Sequence, residues 1–353
     1  MISETNYRKQ ISGESSGILP GFIRFVLRAL SAPYGLFMSL RNVAFDRGLK
    51  KSTTVSVPVI AVGNLTTGGT GKTPIVATVV KALREQGLRP GIVSRGYRAD
   101  DTGENDEKRV LELLCPNVPH EQNPNRVAAS EKLIATQGVD VIVLDDAFQH
   151  RRIARDLNIV LIDATNPFGY GYLLPRGLLR EPVNSLNRAD VVLITRSDNV
   201  KHNKLLEIED RVCRYNSNLR DHIYRVVFQP SGLVAGSGNG GRSIDVVQNR
   251  RVTVMTAIGN PQAFVVTCQQ IQAKVAATRF FPDHHHYTQK DLDEVRDQAN
   301  NAGTSLILTT LKDLVKIPDA YDNIFAVQID SVFESAEKEP KFREELARVT
   351  RPL

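Results

Sequence analysis

The 353-residue sequence has no tryptophan and only three cysteines, Cys115, Cys213 and Cys268, spread far apart. That spacing fits no metal-binding cysteine motif. It argues against a disulfide framework and for a reducing compartment. Long apolar runs are missing as well. In the apolar N-terminal region the longest uncharged stretch, Ala29 to Leu40, has 12 residues and contains Pro33, whereas a bilayer-crossing helix needs about 20 residues. No charged-then-apolar-then-small order marks a signal peptide, and no repeat of fixed period is visible. Acidic residues are the minority charge, 39 against 45 Lys and Arg, for a net charge of +6 and a pI near 9.2. The excess is compatible with nucleic acid, anionic lipid or a phosphorylated ligand. No stacked-aromatic groove motif or recognition helix supports nucleic acid.

What is present is organised around Val59 to Pro74. An apolar strand, Pro58 to Val62, runs into a glycine-rich turn, and a helix follows with Ile75, Val76, Val79, Val80 and Leu83 at helical spacing. Strand, glycine loop, Lys-Thr and helix make a phosphate cradle. The nucleotide-binding stretch is Thr66, Thr67, Gly68, Gly69, Thr70, Gly71, Lys72 and Thr73. Backbone N–H groups face the anion, Lys72 reaches the β- and γ-phosphates, and the Thr73 hydroxyl is a Mg²⁺ ligand candidate. The position that usually holds the motif's first glycine is Thr66, with Gly63 further upstream. Pro74 suits a first helical turn.

The chain divides into five segments. Residues 1–17 are polar and expected to be disordered. Residues 18–51 interleave large apolar side chains with Arg24, Arg28, Arg41, Arg47, Lys50 and Lys51. They read either as a basic amphipathic hairpin on anionic lipid or as a pair of helices on the core. In 52–220, strands at 57–62, 89–94, 139–145, 158–163 and 190–195 alternate with helices at 73–86, 125–137 and 201–216. This predicts an α/β fold of P-loop NTPase type, a doubly wound and mostly parallel sheet. Residues 221–332 predict a second, smaller α/β module. Its flanking strands are 221–229 and 324–332, its inner strands 252–258, 274–280 and 305–310, and its helices 261–271 and 289–301. Residues 333–353 read as a terminal helix.

Ligands bind at the carboxyl ends of parallel strands. There stand Ser94-Arg-Gly-Tyr-Arg98, followed by a polar loop through Gly103 to Glu107, and then Asp145-Asp-Ala-Phe-Gln-His150. A buried strand ending in Asp in a P-loop protein supplies a Mg²⁺ carboxylate, so Asp145 is a metal candidate and Asp146 a catalytic one. Arg176 and Arg180 sit in a loop after a strand, where arginine can neutralise phosphate charge. His284, His285 and His286 are consecutive, and neighbours on an extended chain point to alternate sides, so they form no metal site. An Asp-His pair in that loop suits proton transfer or orientation.

Taken together, Val62 to Pro74, Ser94 to Tyr97, Asp145 to His150, Leu174 to Pro182 and Phe281 to His284 resemble the tetraacyldisaccharide 4'-kinase family of lipid A biosynthesis. The resemblance spans most of the chain, to the Thr310 to Lys316 run. It implies an ATP-dependent phosphoryl transfer to the 4'-hydroxyl of an acylated disaccharide 1-phosphate, giving lipid IVA. It also implies ATP and Mg²⁺, a monomer, and a peripheral position on the cytoplasmic face of the inner membrane through 18–51. It assigns Asp106 as the base, partnered by His284, with Lys72 and Asp146 also catalytic. Glu107 joins Thr73 and Asp145 as a metal candidate, and Arg176, Arg180, Gln149 and His150 are substrate candidates. The family's Gly is Asn105 here, its usual Gly is Ala147, and its usual Glu is Leu311. With Asp106 in the first module and His284 in the second, catalysis is expected to need domain closure.

Three rival readings differ in class. A partitioning- or metallochaperone-type ATPase switch often has Lys before the Gly-Gly pair, where this chain has Thr67. A soluble small-metabolite kinase leaves the 18–51 segment unexplained. Nucleic-acid binding rests on charge alone.

Overall fold

In the computed structural model, which describes residues 4–96, 105–235, 241–283, 285–318 and 321–351, the apolar run Val59–Asn64 is strand β1, buried along its whole length. Such burial is what a central strand covered on both faces requires. Two helices precede it, α1 (Glu4–Ser12) and α2 (Ile18–Asp46). After it come α3 (Lys72–Glu85), β2 (Pro90–Ser94), α4 (Asp106–Leu114), β3 (His120–Gln122), α5 (Arg126–Gln137), β4 (Val141–Asp145), β5 (Leu157–Asp163), β6 (Val191–Thr195) and α6 (His202–Tyr215). The remaining elements are β7 (Ile223–Ala235), β8 (Arg251–Thr256), α7 (Pro261–Gln270), β9 (Lys274–Phe280), α8 (Gln289–Asn301), β10 (Leu306–Thr310), α9 (Leu311–Leu314), β11 (Ile324–Phe333) and α10 (Lys338–Thr350).

The chain forms two compact units. The first comprises Met1–Gly96, Asn117–Val227 and Val332–Leu353, the second Tyr97–Pro116 and Phe228–Ser331. Strands of the first unit follow the order β3-β2-β4-β1-β5-β6-β7, paired in parallel. The order steps one way from β1 through β4 and the other way through β5. The crevice at the carboxyl end of β1 is therefore the switch point where such sheets bind ligands. One sheet face buries Val59, Ala61, Ile142 and Leu144 with Ala129 and Leu133 of α5. The same face continues across β5 and β6, where Val160, Ile162, Val192 and Ile194 pack with Leu205, Ile208 and Val212 of α6. Helix α3 buries Ile75, Val76, Val79, Val80 and Leu83, each worth about 2 kcal/mol in removed apolar surface.

In the second unit β11, β10, β8 and β9 run parallel in that order. Helix α8 opens on a capping box between Thr288 and Asp291, which satisfies two otherwise orphaned N–H groups.

Four sequence expectations need correction. Residues 4–12 are helical rather than disordered, because Ile11 is fully buried and the Tyr7 hydroxyl donates to the Pro175 carbonyl at 2.5 Å. The 18–51 segment is neither hairpin nor helix pair. Residues Ile18–Asp46 are one helix with Pro33 inside it. The polar loop expected to run through Glu107 ends at Asn105, whose side chain accepts from the Lys108 N–H at 2.9 Å and caps α4. Last, the described residues of 105–116 group with those of 228–331, not with the P-loop. Asp106 therefore groups with the second unit rather than with the first module.

Candidate active site

The glycine loop is held open by its surroundings. Gly63, at the end of the β1 run, has no room for a side chain: a Cβ there would lie 2.7 Å from the Phe148 backbone nitrogen. Gly68 (φ +117°) and Gly71 (φ +83°) adopt left-handed conformations, and Gly71 precedes the first turn of α3. Side chains needing a β-carbon are strained there. The fully buried Asn64 donates from Nδ2 to Thr70 Oγ1 at 3.0 Å, and the Thr195 hydroxyl donates to the Thr70 carbonyl at 3.0 Å. Arg196 donates to the Gly69 carbonyl at 2.9 Å while also pairing with Asp163. On the other flank, the Thr67 N–H donates to Leu178 O and the Arg180 N–H to Leu65 O, both at 2.7 Å. The loop is thus clamped from β5 and β6 on one side and from 178–180 on the other.

Over the mouth of this loop stand three charges. Lys72 Nζ lies 3.6 Å from Asp146 Oδ1, and Arg180 Nη1 lies 2.9 and 3.0 Å from the two Asp146 oxygens. Asp146 takes a left-handed conformation, φ +49°, a backbone state that non-glycine residues adopt uncommonly. Burial alone would raise its carboxyl pKa, but Lys72 and Arg180 outweigh that and hold it below the usual carboxylate range. Asp145, 5% exposed, ends β4 and sits opposite Val62 in the β1 ladder, immediately before the loop. Thr73 follows Lys72 in the first turn of α3.

The other expected residues are placed unevenly. Gln149 joins the cluster as a brace, donating to the Asn64 carbonyl at 2.8 Å and lying 3.4 Å from Arg180 Nη1. Arg176 points elsewhere: it donates to the Ile11 carbonyl at 2.7 Å and stacks 4.4 Å over the Tyr172 ring. His150 is half-buried among arginines. Burial first, then Arg126, Arg155, Arg152 and Arg41, pull its pKa down to about 4. Arg155 donates to the His150 carbonyl at 2.7 Å, and burial beside Arg188 and Arg151 lowers its own pKa to about 9. The fully buried Glu181 accepts from Arg188 and from Asn42 at 3.3 Å, and lies 3.8 Å from Arg41.

In the second unit, Asp106 is the first residue of α4, and Lys316 Nζ lies 3.1 Å from its Oδ2. Glu107 is exposed on the same helix. His284 lies outside the described residues, as do Tyr97, Arg98, Gly103 and Glu104. Of its neighbours, His285 Nε2 lies 3.0 Å from Asp291 Oδ2, and its ring stacks on Phe281 at 4.8 Å, so its place is in the loop's packing. His286 is exposed.

Sequence reasoning missed Asn64, Arg126, Thr195, Arg196 and Lys316. Lys316 had a signal, since it closes the quoted Thr310 to Lys316 run. The clamp on the loop by Thr195 and Arg196 had none, because the contact joins segments more than 120 residues apart.

A parallel sheet with a glycine loop at its switch point, and Lys, Asp and Arg gathered over the loop, defines a P-loop phosphotransferase. The family described as Tetraacyldisaccharide-1-P 4'-kinase matches residues 23–351, and the chain belongs to it. Among similar proteins, a Tetraacyldisaccharide 4'-kinase of Anaeromyxobacter dehalogenans is 33% identical over 343 residues, covering 90% of this chain and 89% of the relative. One from Chlorobaculum parvum is 37% identical over 321 residues, covering 84% of each. A crystal structure of LpxK from Aquifex aeolicus in complex with ATP superposes with a TM-score of 0.77 at 26% identity, over 93% of this chain and 100% of that one.

Proposed function

We propose that this chain transfers the γ-phosphoryl group of ATP to the 4'-hydroxyl of tetraacyldisaccharide 1-phosphate, giving lipid IVA in lipid A biosynthesis. The observation that carries this reading is the Lys72–Asp146–Arg180 cluster over the glycine loop, in a chain of this family. The loop amides and Lys72 bind the triphosphate. Asp146 keeps Lys72 and Arg180 converged, and Arg180 offsets charge on the transferring phosphoryl. The sugar oxygen bonds to the γ-phosphorus as the bridge to the β-phosphate breaks. ADP leaves with the bridging oxygen.

The acceptor's proton goes to Asp106, a role taken from family resemblance, with His284 as its orienting partner on the same ground. Lys316 Nζ, 3.1 Å from Asp106 Oδ2, holds that carboxylate in place. Among the described residues no group of three or more His, Cys, Asp or Glu is arranged to hold a metal ion. The donor set nonetheless suits Mg²⁺, which binds through one or two carboxylates plus phosphate oxygens and water. Thr73 and Asp145 would hold it, with Glu107 a further candidate. When bound, the ion neutralises phosphate charge.

The acyl chains need an apolar surface. No helix among the described residues is long and apolar enough to cross a membrane. Helix α2 instead exposes Ile18, Leu19, Phe22, Phe25, Leu36, Phe37 and Leu40, interleaved with Arg24, Arg28 and Arg41. That composition suits an anionic lipid surface, here the cytoplasmic face of the inner membrane. The enzyme acts as a peripheral monomer.

The test is a transfer assay with [γ-³²P]ATP and the disaccharide lipid. Label in the lipid, dependent on Mg²⁺, is the expected result. Phosphate release to water without labelled lipid would replace the kinase reading with that of an ATPase switch.

A further inference from the structure

The family match starts at residue 23, so α1 lies outside it. Its composition is polar, yet it is fixed at three points. The Tyr7 hydroxyl donates to Pro175 O, Arg176 donates to Ile11 O at 2.7 Å, and Gln10 donates to Pro20 O at 2.7 Å. Ile11 is fully buried. Tyr7 and Ile11, four apart, share one helix face, and that face lies on the 175–176 turn. The next residue, Arg8, is exposed, and it extends to the glycine loop: its Nη2 lies 3.7 Å from where a Gly68 Cβ would stand.

We propose that Arg8 is a nucleotide-binding residue that contacts the terminal phosphates of ATP. Three considerations carry the inference. The loop's own side-chain cation is Lys72, and phosphoryl transfer gains from additional positive charge over the phosphates. Guanidinium groups bind phosphate oxygens through paired, charge-assisted hydrogen bonds. The fixed backbone of α1 delivers Arg8 with little ordering cost. Arg176, expected to meet phosphate itself, instead anchors the helix that brings a different arginine to the loop.

This inference rests on the glycine loop being the ATP seat, so the experiment tests the two separately. The full chain is prepared as parent, Arg8→Ala, Arg8→Lys and Lys72→Ala. ATP affinity is measured by calorimetry without lipid, and KM for ATP and for lipid in the transfer assay. Arg8→Ala should weaken ATP binding and raise KM for ATP about tenfold. KM for lipid and the thermal midpoint should stay within experimental scatter of the parent, and Arg8→Lys should recover part of the loss. ATP affinity within twofold of the parent in Arg8→Ala would overturn the proposal. So would tighter ATP binding, since α1 would then obstruct the seat. Undiminished ATP binding by Lys72→Ala would instead remove the seat itself, and the role of Arg8 with it.

Discussion

Lys316 Nζ and Asp106 Oδ2 are 3.1 Å apart, and the Lys316 side chain is only 5% exposed. The ammonium sits at the end of the Thr310 to Lys316 run, beside α9, and meets the first residue of α4. A nearly buried cation hydrogen-bonded to a carboxylate fixes the orientation of its partner. Lys316→Met should lower kcat about tenfold or more, with KM for ATP little changed, and Lys316→Arg should restore most of the loss. Steady-state kinetics with both substrates varied checks this. A kcat equal to the parent's in Lys316→Met would show that the pair only holds α4.

Gly63 lies against the Phe148 backbone. With 2.7 Å between its absent Cβ and a main-chain nitrogen, the neighbour cannot yield without moving the turn that carries Asp146. Gly63→Ala should therefore destabilise the fold by about 2 kcal/mol or more, an overpacking cost. ATP affinity should also fall. Urea denaturation together with ATP titration reads both effects.

The half-buried His150 gives the protein an acid sensitivity. Its folded pKa, about 4, lies below the ordinary value of 6.5. Between these values the unfolded chain binds more protons than the folded one, so this residue's contribution to stability declines as pH falls from 6.5 to 4. Thermal midpoints across that window should drop less steeply in His150→Gln than in the parent. Parallel curves would remove His150 as the cause.

Asp313 is fully buried and accepts from the Thr256 and Thr310 hydroxyls at 2.8 and 2.7 Å and from the Ala257 N–H at 3.2 Å. Asp313→Ala leaves buried donors without an acceptor, each costing about 1–3 kcal/mol. A loss of about 3 kcal/mol or more is expected in chemical denaturation, against a smaller loss for Asp313→Asn, which keeps an acceptor oxygen.

Periodicity made most strands and helices legible, because β1, β4, β5 and β6 are apolar on both faces and helices with a one-sided stripe separate them. The P-loop and the two aspartates were readable for a related reason: their chemistry is local in the chain. Long-range features were not. Helix α4 was concealed by the polar Asn105-Asp-Glu107 opening, although a cap residue followed by two acids is itself a helix-start signal. The grouping of 105–116 with the second unit leaves no local trace, since it changes no period. The unbroken α2 ran against the usual reading of Pro33 as a breaker. Arg176 illustrates the limit most sharply. Both arginines lie in one loop after a strand, and only the folded chain shows Arg176 bonded to α1 and Arg180 paired with Asp146 over the glycine loop.

One face of α2 is bolted down by Ser31 to Leu173 O at 3.0 Å, Tyr34 to Arg180 O at 2.7 Å and Arg41 to Gln149 O at 2.5 Å, leaving its greasy side bare. Held in this way, the helix cannot fold that side inward. Purification into plain buffer should therefore leave a sticky ridge that draws molecules into clumps, and a mild amphiphile should return them to single particles. The same bolts tie the ridge to the backbone of Arg180, whose side chain pairs with Asp146 over the glycine loop.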